Sequence, residues 1–225
     1  MLLLVVDTSG KHGSVALVRE GENRDDIQVI AEVRLDGGAF SAQLVPQIAA
    51  LLEQNKFRKS DIGAFIVVSG PGSFTGLRVG LAAVKALAEI LQKPIVPVSL
   101  LEVVAFCSSR TGSVLAALDA GRGEAYVGEY EIAGTSARLI CEQLLPKADF
   151  VSAARSGTVV TPHQSLAETL KENQRPVLEV AQPNAGKIGL VGWWKLQDDL
   201  TVSPEQLEAN YIRRTDAELL PKSGS

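Results

Sequence analysis

The sequence predicts an α/β protein in which two lobes share one plan. Short apolar runs of strand length alternate along the chain with segments whose apolar residues recur at helical spacing. An apolar run that ends at Asp7 and another that ends at Asp119 are each followed by a short glycine-containing turn and a second strand. A small and polar stretch at residues 107–113 separates the two copies, and we place the lobe boundary there.

The expected lobes follow from this repeat and this boundary. We predict a first lobe over residues 1–106 and a smaller second lobe over residues 107–206. A C-terminal segment, residues 207–225, is expected to pack back on the first lobe.

Composition and charge argue against several classes of protein. Apolar residues make up 46% of the chain and charged residues 21%, which is ordinary for a globular protein. The net charge of -4 argues against a protein that grips nucleic acid alone, because phosphate contacts need a basic surface. We interpret Cys107 and Cys141 as small core residues in a reducing compartment. Asp7 ends the apolar start too early for a signal peptide or a membrane span, so a cytoplasmic protein without membrane contact is expected.

The first lobe is predicted to begin with a β-hairpin and a third strand and to continue with alternating helices and strands. Apolar residues recur at helical spacing from residue 44 to residue 52, and Pro46 is tolerated because it lies near the start of that helix. The expected strands cover residues 2–6, 14–19, 27–35, 64–68 and 95–98, and the expected helices cover residues 41–57, 77–91 and 99–106.

The second lobe is predicted with fewer elements. Thr161-Pro162-His163-Gln164 has the pattern of a capping box with proline at the first helical position, so a helix is expected from there to about Asn173. The other expected elements are strands over residues 114–118, 126–132 and 177–180 and a helix over residues 184–197.

The stretch S-G-P-G-S-F-T-G-L-R-V-G, residues 69–80, is the most informative motif. It follows a strand and opens a helix, which is the setting in which backbone amides bind an anion. It lacks the glycine-lysine pair of a Walker A loop, and its glycines are one residue too widely spaced for the dinucleotide fingerprint. Glycine in a helix interior lowers helix stability by about 1 kcal/mol relative to alanine. The presence of Gly80 at such a position therefore implies close packing against another backbone. From the pattern alone, that neighbour is either the same chain or a partner protein.

Asp7 and Asp119 carry two alternative interpretations. A carboxylate at a strand end can hold a metal ion while the amides of the turn cradle a phosphate. A vestigial nucleotide site of this kind would comprise Asp7, Ser9 and Asp119. Aspartate is also a good residue for ending a strand in a turn, and without further site residues we prefer this second interpretation.

Four segments of the chain together resemble the TsaB (YeaZ) family. They are V-V-D-T-S at residues 5–9, S-G-P-G-S-F-T-G-L-R at 69–78, L-D-A-G-R-G-E-A-Y at 118–126 and Y-I-R-R at 211–214. The resemblance runs the length of the chain, and its glycine-rich segment is specific. It implies a two-lobed, actin-like or ribonuclease-H-like fold with a mixed sheet flanked by helices in each lobe.

The resemblance also implies a function. Proteins of this family pair with a catalytic paralogue, TsaD, and with an ATPase, TsaE, in a bacterial complex that places a threonylcarbamoyl group on the adenosine beside the tRNA anticodon. The chain is therefore expected to be a non-catalytic scaffold that activates the paralogue, that contacts tRNA only through the complex and that forms a homodimer when alone. The implied partner surface lies on the helices over residues 41–57 and 77–91, at Phe74, Leu77, Arg78, Gly80, Leu81 and Val84.

The chain departs from its relatives in its histidines. The catalytic paralogue binds a metal through an H-x-x-x-H pair, whereas this chain has only His12 and His163, in different predicted lobes. Family members often have a histidine just before the first long helix, where this chain has Phe40-Ser41-Ala42. We expect no metal, no catalytic residue and no required cofactor, and weak binding of ATP or ADP is left open. An active phosphotransferase or ATPase of the same fold, or a metallopeptidase, are the alternatives.

Overall fold

Two five-stranded sheets organise the structure, a computed structural model that describes residues 1–23, 26–155 and 157–212. The first sheet has the strand order β3-β2-β1-β4-β5. Strand β2 is antiparallel to both of its neighbours, whereas β1, β4 and β5 run parallel. Its strands are β1 (Leu2–Asp7), β2 (His12–Glu20), β3 (Ile27–Asp36), β4 (Ile62–Gly70) and β5 (Ile95–Ser99).

The second sheet repeats this order as β8-β7-β6-β9-β10. Strand β7 is antiparallel to both neighbours, and β6, β9 and β10 run parallel. The predicted internal repeat and the actin-like, ribonuclease-H-like fold are confirmed by this shared order. Its strands are β6 (Gly112–Gly121), β7 (Glu124–Ala133), β8 (Ser136–Pro146), β9 (Val159–Thr161) and β10 (Val177–Glu179).

Six helices in the described ranges cover the sheets: α1 (Phe40–Gln54), α2 (Phe74–Leu91), α3 (Leu100–Phe106), α4 (Lys147–Ala153), α5 (Gln164–Glu172) and α6 (Ala185–Gln197). Helices α1 and α2 pack on one face of the first sheet, and α6 packs on the other face. Helix α3 lies between the lobes, because Val103 joins the core of the first sheet while Leu101 and Val104 join that of the second. Along the described parts of the chain, no helix is both long enough and apolar enough to cross a membrane.

The position of α6 corrects the predicted limit of the second lobe at residue 206. Glycines let the α6 backbone approach the first sheet, since a Cβ on Gly192 would lie 2.5 Å from the side chain of Ile66. Beyond α6, Val202 forms a bridge with Ile95, and Leu207 is buried in the core of the first lobe. The chain therefore returns to the first lobe at α6. Residues 213–225, which belong to the predicted C-terminal segment, lie outside the described residues.

Several local predictions also differ from the structure. Strands β8 and β9 and helix α4 were not predicted, and α2 begins at Phe74 rather than at residue 77 because Ser73 caps it by accepting from the Gly76 amide (3.3 Å). The helix that was expected to start within the capping box at residues 161–164 begins only at Gln164, with His163 at its N-cap. Cys141 is exposed on β8, which corrects its assignment to the core.

Candidate functional site

A cleft of about 2150 Å³ lies between the two lobes. The ends of β1 and β2 and the glycine-rich loop line it from the first lobe, and the turn between β6 and β7 lines it from the second. Asp7, Ser9 and Asp119, predicted from separate halves of the sequence, all line this cleft. His12 and His163 line it as well.

The carboxylate of Asp7 holds the turn that follows β1. Asp7 Oδ1 accepts hydrogen bonds from the backbone N–H of Ser9 (2.8 Å) and from the hydroxyl of Ser9 (2.6 Å). Burial raises the pKa of Asp7, and the two hydrogen bonds from Ser9 oppose this effect. These contacts fit the interpretation of Asp7 as a residue that ends a strand in a turn.

The glycine-rich loop and α2 pack directly on this turn. A Cβ on Gly76 would lie 2.1 Å from the carbonyl oxygen of Thr8, and a Cβ on Gly80 would lie 2.3 Å from Thr8 Oγ1. A Cβ on Gly72 would lie 2.3 Å from the carbonyl oxygen of Ser9. The close neighbour that Gly80 requires is therefore the chain's own strand end, which favours the internal alternative for this helix.

Hydrogen bonds fix the same packing. The Thr8 hydroxyl donates to the carbonyl oxygen of Gly76 (2.8 Å), and the Ser73 amide donates to the carbonyl oxygen of Ser9 (2.6 Å). Phe40 is 6% exposed, and its ring lies beside Gly13 and Gly76, so it belongs to the core.

Asp119 holds the corresponding turn in the second lobe. Its Oδ1 accepts from the backbone N–H of Gly121 (2.7 Å), and its Oδ2 accepts from the hydroxyl of Ser165 (3.0 Å). The backbone N–H of Asp119 donates to Nδ1 of His163 (3.0 Å). Both carboxylate oxygens are therefore engaged within the protein, as they are expected to be in a turn.

His163 has a defined tautomer because of these contacts. Since Nδ1 accepts the Asp119 amide, the ring proton is assigned to Nε2, which lies 3.2 Å from the side-chain amide of Gln182. Burial lowers the pKa of His163, and the charge of Asp119 opposes this effect. No group of three His, Cys, Asp or Glu residues in the described ranges is arranged to hold a metal ion.

The predicted partner surface requires a correction. Leu77 (1% exposed), Leu81 (5%) and Val84 (0%) point into the core of the first lobe. These larger apolar residues recur at helical spacing on one side of α2, and that side faces the chain's own sheet. Of the six predicted residues, Phe74 and Arg78 are exposed.

The outer side of α1 and α2 carries a different set of apolar residues. On α2, Ala82, Ala86 and Ile90 are exposed and follow one another at intervals of four residues, and on α1, Val45 and Ala49 are exposed. The two helices pack beside each other on the same sheet face. We call the surface formed by these five residues the α1–α2 face.

An aromatic and cationic cluster stands at the start of α2. The guanidinium of Arg78 lies 3.7 Å from the centre of the Phe74 ring, which is the geometry of a cation–π contact. Tyr211 stacks on Phe74 with ring centres 5.1 Å apart and accepts a hydrogen bond from Arg78 Nε (3.1 Å). The cluster joins two of the segments on which the family resemblance rests.

Comparison with known proteins places the chain in a family. The family model for TsaD, the tRNA N6-adenosine threonylcarbamoyltransferase, matches residues 34–192. The Bacillus subtilis (strain 168) tRNA threonylcarbamoyladenosine biosynthesis protein TsaB is 32% identical over 180 residues, which cover 79% of this chain and 69% of the relative. The Escherichia coli (strain K12) protein of the same name is 34% identical over 134 residues, which cover 58% of this chain and 55% of the relative.

Solved structures agree with these matches. YeaZ from Pseudomonas aeruginosa superimposes with a TM-score of 0.73 at 26% identity, over 93% of this chain and 99% of that one. A Pseudomonas aeruginosa protein described as similar to the peptidase YeaZ gives a TM-score of 0.74 at 28% identity, over 94% of this chain and 99% of that one. With the shared sheet order and the sequence segments in place, the chain belongs to the TsaB (YeaZ) family, and it also matches the family model for TsaD.

Proposed function

We propose that the chain is a non-catalytic subunit of the machinery that forms threonylcarbamoyladenosine in tRNA. The names of its relatives support this pathway. The contacts of the cleft residues support the non-catalytic role. The carboxylates of Asp7 and Asp119 each hold their own turn, and the ring of His163 accepts a hydrogen bond from the backbone amide of Asp119. The chain thus contributes a surface rather than a reacting group.

The α1–α2 face is the surface that we propose for the catalytic, TsaD-type paralogue. The observation that carries this proposal is an exposed apolar strip on two adjacent helices, with Ile90 75% and Val45 53% exposed. Interfaces of this kind have an apolar centre and a polar rim, and small residues such as Ala82 and Ala86 let a partner helix approach closely. Arg78 and Phe74 lie at one end of the strip and form its rim.

A second copy of the chain would use the same face when the paralogue is absent. A homodimer and a complex with the paralogue therefore exclude each other. A TsaE-type ATPase and tRNA would join only once the paralogue is bound, which agrees with the net charge of -4.

The test is a charge placed at the centre of the strip. Ala86→Glu should weaken both self-association and capture of the paralogue by about 100-fold or more, because a charge buried in an apolar interface costs several kcal/mol. Leu200→Glu is the matched control, since Leu200 is 56% exposed and lies outside the α1–α2 face. Size-exclusion chromatography and pull-down with the paralogue measure both associations.

Ala86 is exposed in the single chain, so its replacement should leave the fold intact, which circular dichroism would verify. Unchanged association of a folded Ala86→Glu variant would exclude the α1–α2 face. The two alternative functions separate by other measurements. An active phosphotransferase or ATPase would turn over nucleotide as the isolated chain, and a metallopeptidase would hold a stoichiometric metal ion in elemental analysis.

A further inference from the structure

A single carboxylate, that of Glu142 on β8, connects three parts of the molecule. Glu142 Oε1 accepts hydrogen bonds from the hydroxyl of Tyr130, in its own lobe, and from the hydroxyl of Ser99, at the end of β5 in the first lobe. Glu142 Oε2 accepts from the side-chain amide of Asn210, near the C-terminal end of the described chain. We call these four residues the clasp.

The clasp is mostly enclosed by protein. Tyr130 is 2% exposed, and Ser99, Glu142 and Asn210 are half-buried. Burial and the nearby charge of Glu142 raise the pKa of Tyr130, so its hydroxyl remains a donor. Because hydrogen bonds to a charged acceptor are strong and a donor left unpaired on burial is costly, the carboxylate holds its three donors together.

Close packing does not replace these bonds at this point. A cavity of about 260 Å³ opens beside the clasp, and Ser69, Glu102, Lys195 and Leu139 contribute to its wall. The first lobe and the outer strands of the second are therefore connected here by polar contacts across a gap. Helix α3 joins the cores of both lobes beside this gap, so the clasp adds polar contacts to an apolar connection.

Asn210 belongs to a strap, residues 207–212, that runs from one lobe to the other. Leu207 is 1% exposed in the core of the first lobe, and the backbone N–H of Asn210 donates to the carbonyl oxygen of Ser69 (2.8 Å). The strap lies so close to β4 that a Cβ on Gly70 would come within 2.6 Å of the carbonyl oxygen of Asn210. Ile212 then packs against the core of the second lobe.

The strap also touches the start of α2. Tyr211 stands between Asn210 and Ile212, and it is the residue that stacks on Phe74 and accepts the hydrogen bond from Arg78. A molecule that binds at Phe74 and Arg78 would therefore compete with Tyr211. Displacement of Tyr211 would move the neighbouring Asn210 and so disturb its hydrogen bond to Glu142 in the clasp.

We propose that Glu142 and the strap form a device that sets the angle between the lobes and transmits events at the start of α2 to that angle. Glu142 acts as a positioning residue. The contacts that define the clasp are made within the chain, so the device is argued independently of the proposed function. The kind of molecule that would operate it is one that engages an exposed aromatic ring and an arginine at the end of a helix.

The experiment measures the distance between the lobes. Spin labels at Glu53→Cys on α1 and Glu172→Cys on α5, both exposed, report this distance by double electron–electron resonance in a chain that also carries Cys107→Ser and Cys141→Ser. Glu142→Ala should shift and broaden the distance distribution. Glu131→Ala removes an exposed carboxylate from the neighbouring strand β7 and should leave the distribution unchanged.

A second variant keeps the test decisive if Glu142→Ala does not fold. Tyr211→Ala removes a side chain that is 43% exposed, so the core is retained. It should shift the distance in the same direction by a smaller amount and raise the hydrogen exchange of the Asn210 amide. A folded Glu142→Ala chain with the parent distribution would overturn the proposal, as would a Tyr211→Ala chain in which neither the distance nor the exchange changes.

Discussion

The turns after β1 and β6 occupy the same position in the same sheet order, yet their glycines serve different ends. Around Asp7, the glycines of α2 have no room for a Cβ, since Gly76 and Gly80 lie against Thr8. Around Asp119, a Cβ on Gly121 or Gly123 would meet no atom within 4 Å, but both residues have a positive φ, +73° and +79°. Helix α2 packs on the first turn, whereas no atom in the described ranges packs closely on the glycines of the second. Close packing therefore explains the glycines beside the first turn, and backbone conformation explains those of the second turn.

The largest effect expected from this difference is at Gly76. Gly76→Ala should lower the free energy of unfolding by about 3 kcal/mol, because the added methyl group collides with backbone that cannot move without displacing β1. Gly186→Ala on α6 is the matched helical control, since its Cβ would meet no atom closer than 3.3 Å. Denaturant titration of both variants measures the difference. Equal stabilities would mean that α2 does not pack on the Thr8 turn as described.

A smaller effect is expected at the open turn. Gly121→Ala should lower the free energy of unfolding by about 1 kcal/mol, because alanine is strained at a positive φ even where space is available. Gly157→Ala, in open space and without a positive φ, should be neutral or slightly stabilising. Thermal unfolding of the pair would distinguish the two causes. If Gly121→Ala matched Gly157→Ala, conformation would not be the reason for glycine at the β6–β7 turn.

The smallest effect concerns pH, and it again contrasts the two turns. The pKa of His163 is lowered in the folded chain, so below the ordinary histidine pKa of about 6.5 the unfolded chain binds the proton more readily. Stability should therefore fall as the pH decreases through this range. Asp7, whose pKa is raised, acts in the opposite sense: stability falls as the pH rises from its ordinary value to its raised one.

His163→Gln isolates this contribution. The variant should lose part of the decline in unfolding free energy between pH 7 and pH 5, as measured by denaturant titration at several pH values. His12→Gln, on the other side of the cleft, should keep the full decline because the burial of His163 is unchanged. An identical pH profile for His163→Gln and the parent would refute the lowered pKa of this half-buried imidazole.

The parts of the fold that the sequence could predict are those with a local signal. The hairpins that contain Asp7 and Asp119 have apolar runs with sharp ends, and these predicted the repeat. The structure adds that both aspartates line one cleft. Strand β8 was not predicted, because an edge strand with Arg138, Leu139 and Ile140 exposed in succession has no alternating pattern. Its role depends on Glu142, whose partners come from distant parts of the sequence.

The partner surface shows a different limit. Helix α2 has small or apolar residues on nearly every side, so its sequence does not reveal which side faces the sheet. The larger Leu77, Leu81 and Val84 were assigned to a partner, whereas they lie in the chain's own core and the smaller Ala82 and Ala86 are exposed. The return of α6 to the first lobe likewise has no local signal, since it follows from tertiary packing alone.

The return of α6 has a consequence for how the chain folds during synthesis. The second lobe is, in effect, an insertion within the first, and Ala185, Ile188 and Val191 leave the ribosome only after the whole insertion has been made. Until then, the part of this face of the first sheet that includes Leu3, Val5 and Val18 lacks the cover of α6. A nascent chain that stops before α6 would expose this face to chaperones or to other nascent chains. Pauses in translation between residues 112 and 184 should therefore favour aggregation most, since most of the first lobe has been made while the face that α6 covers is still exposed.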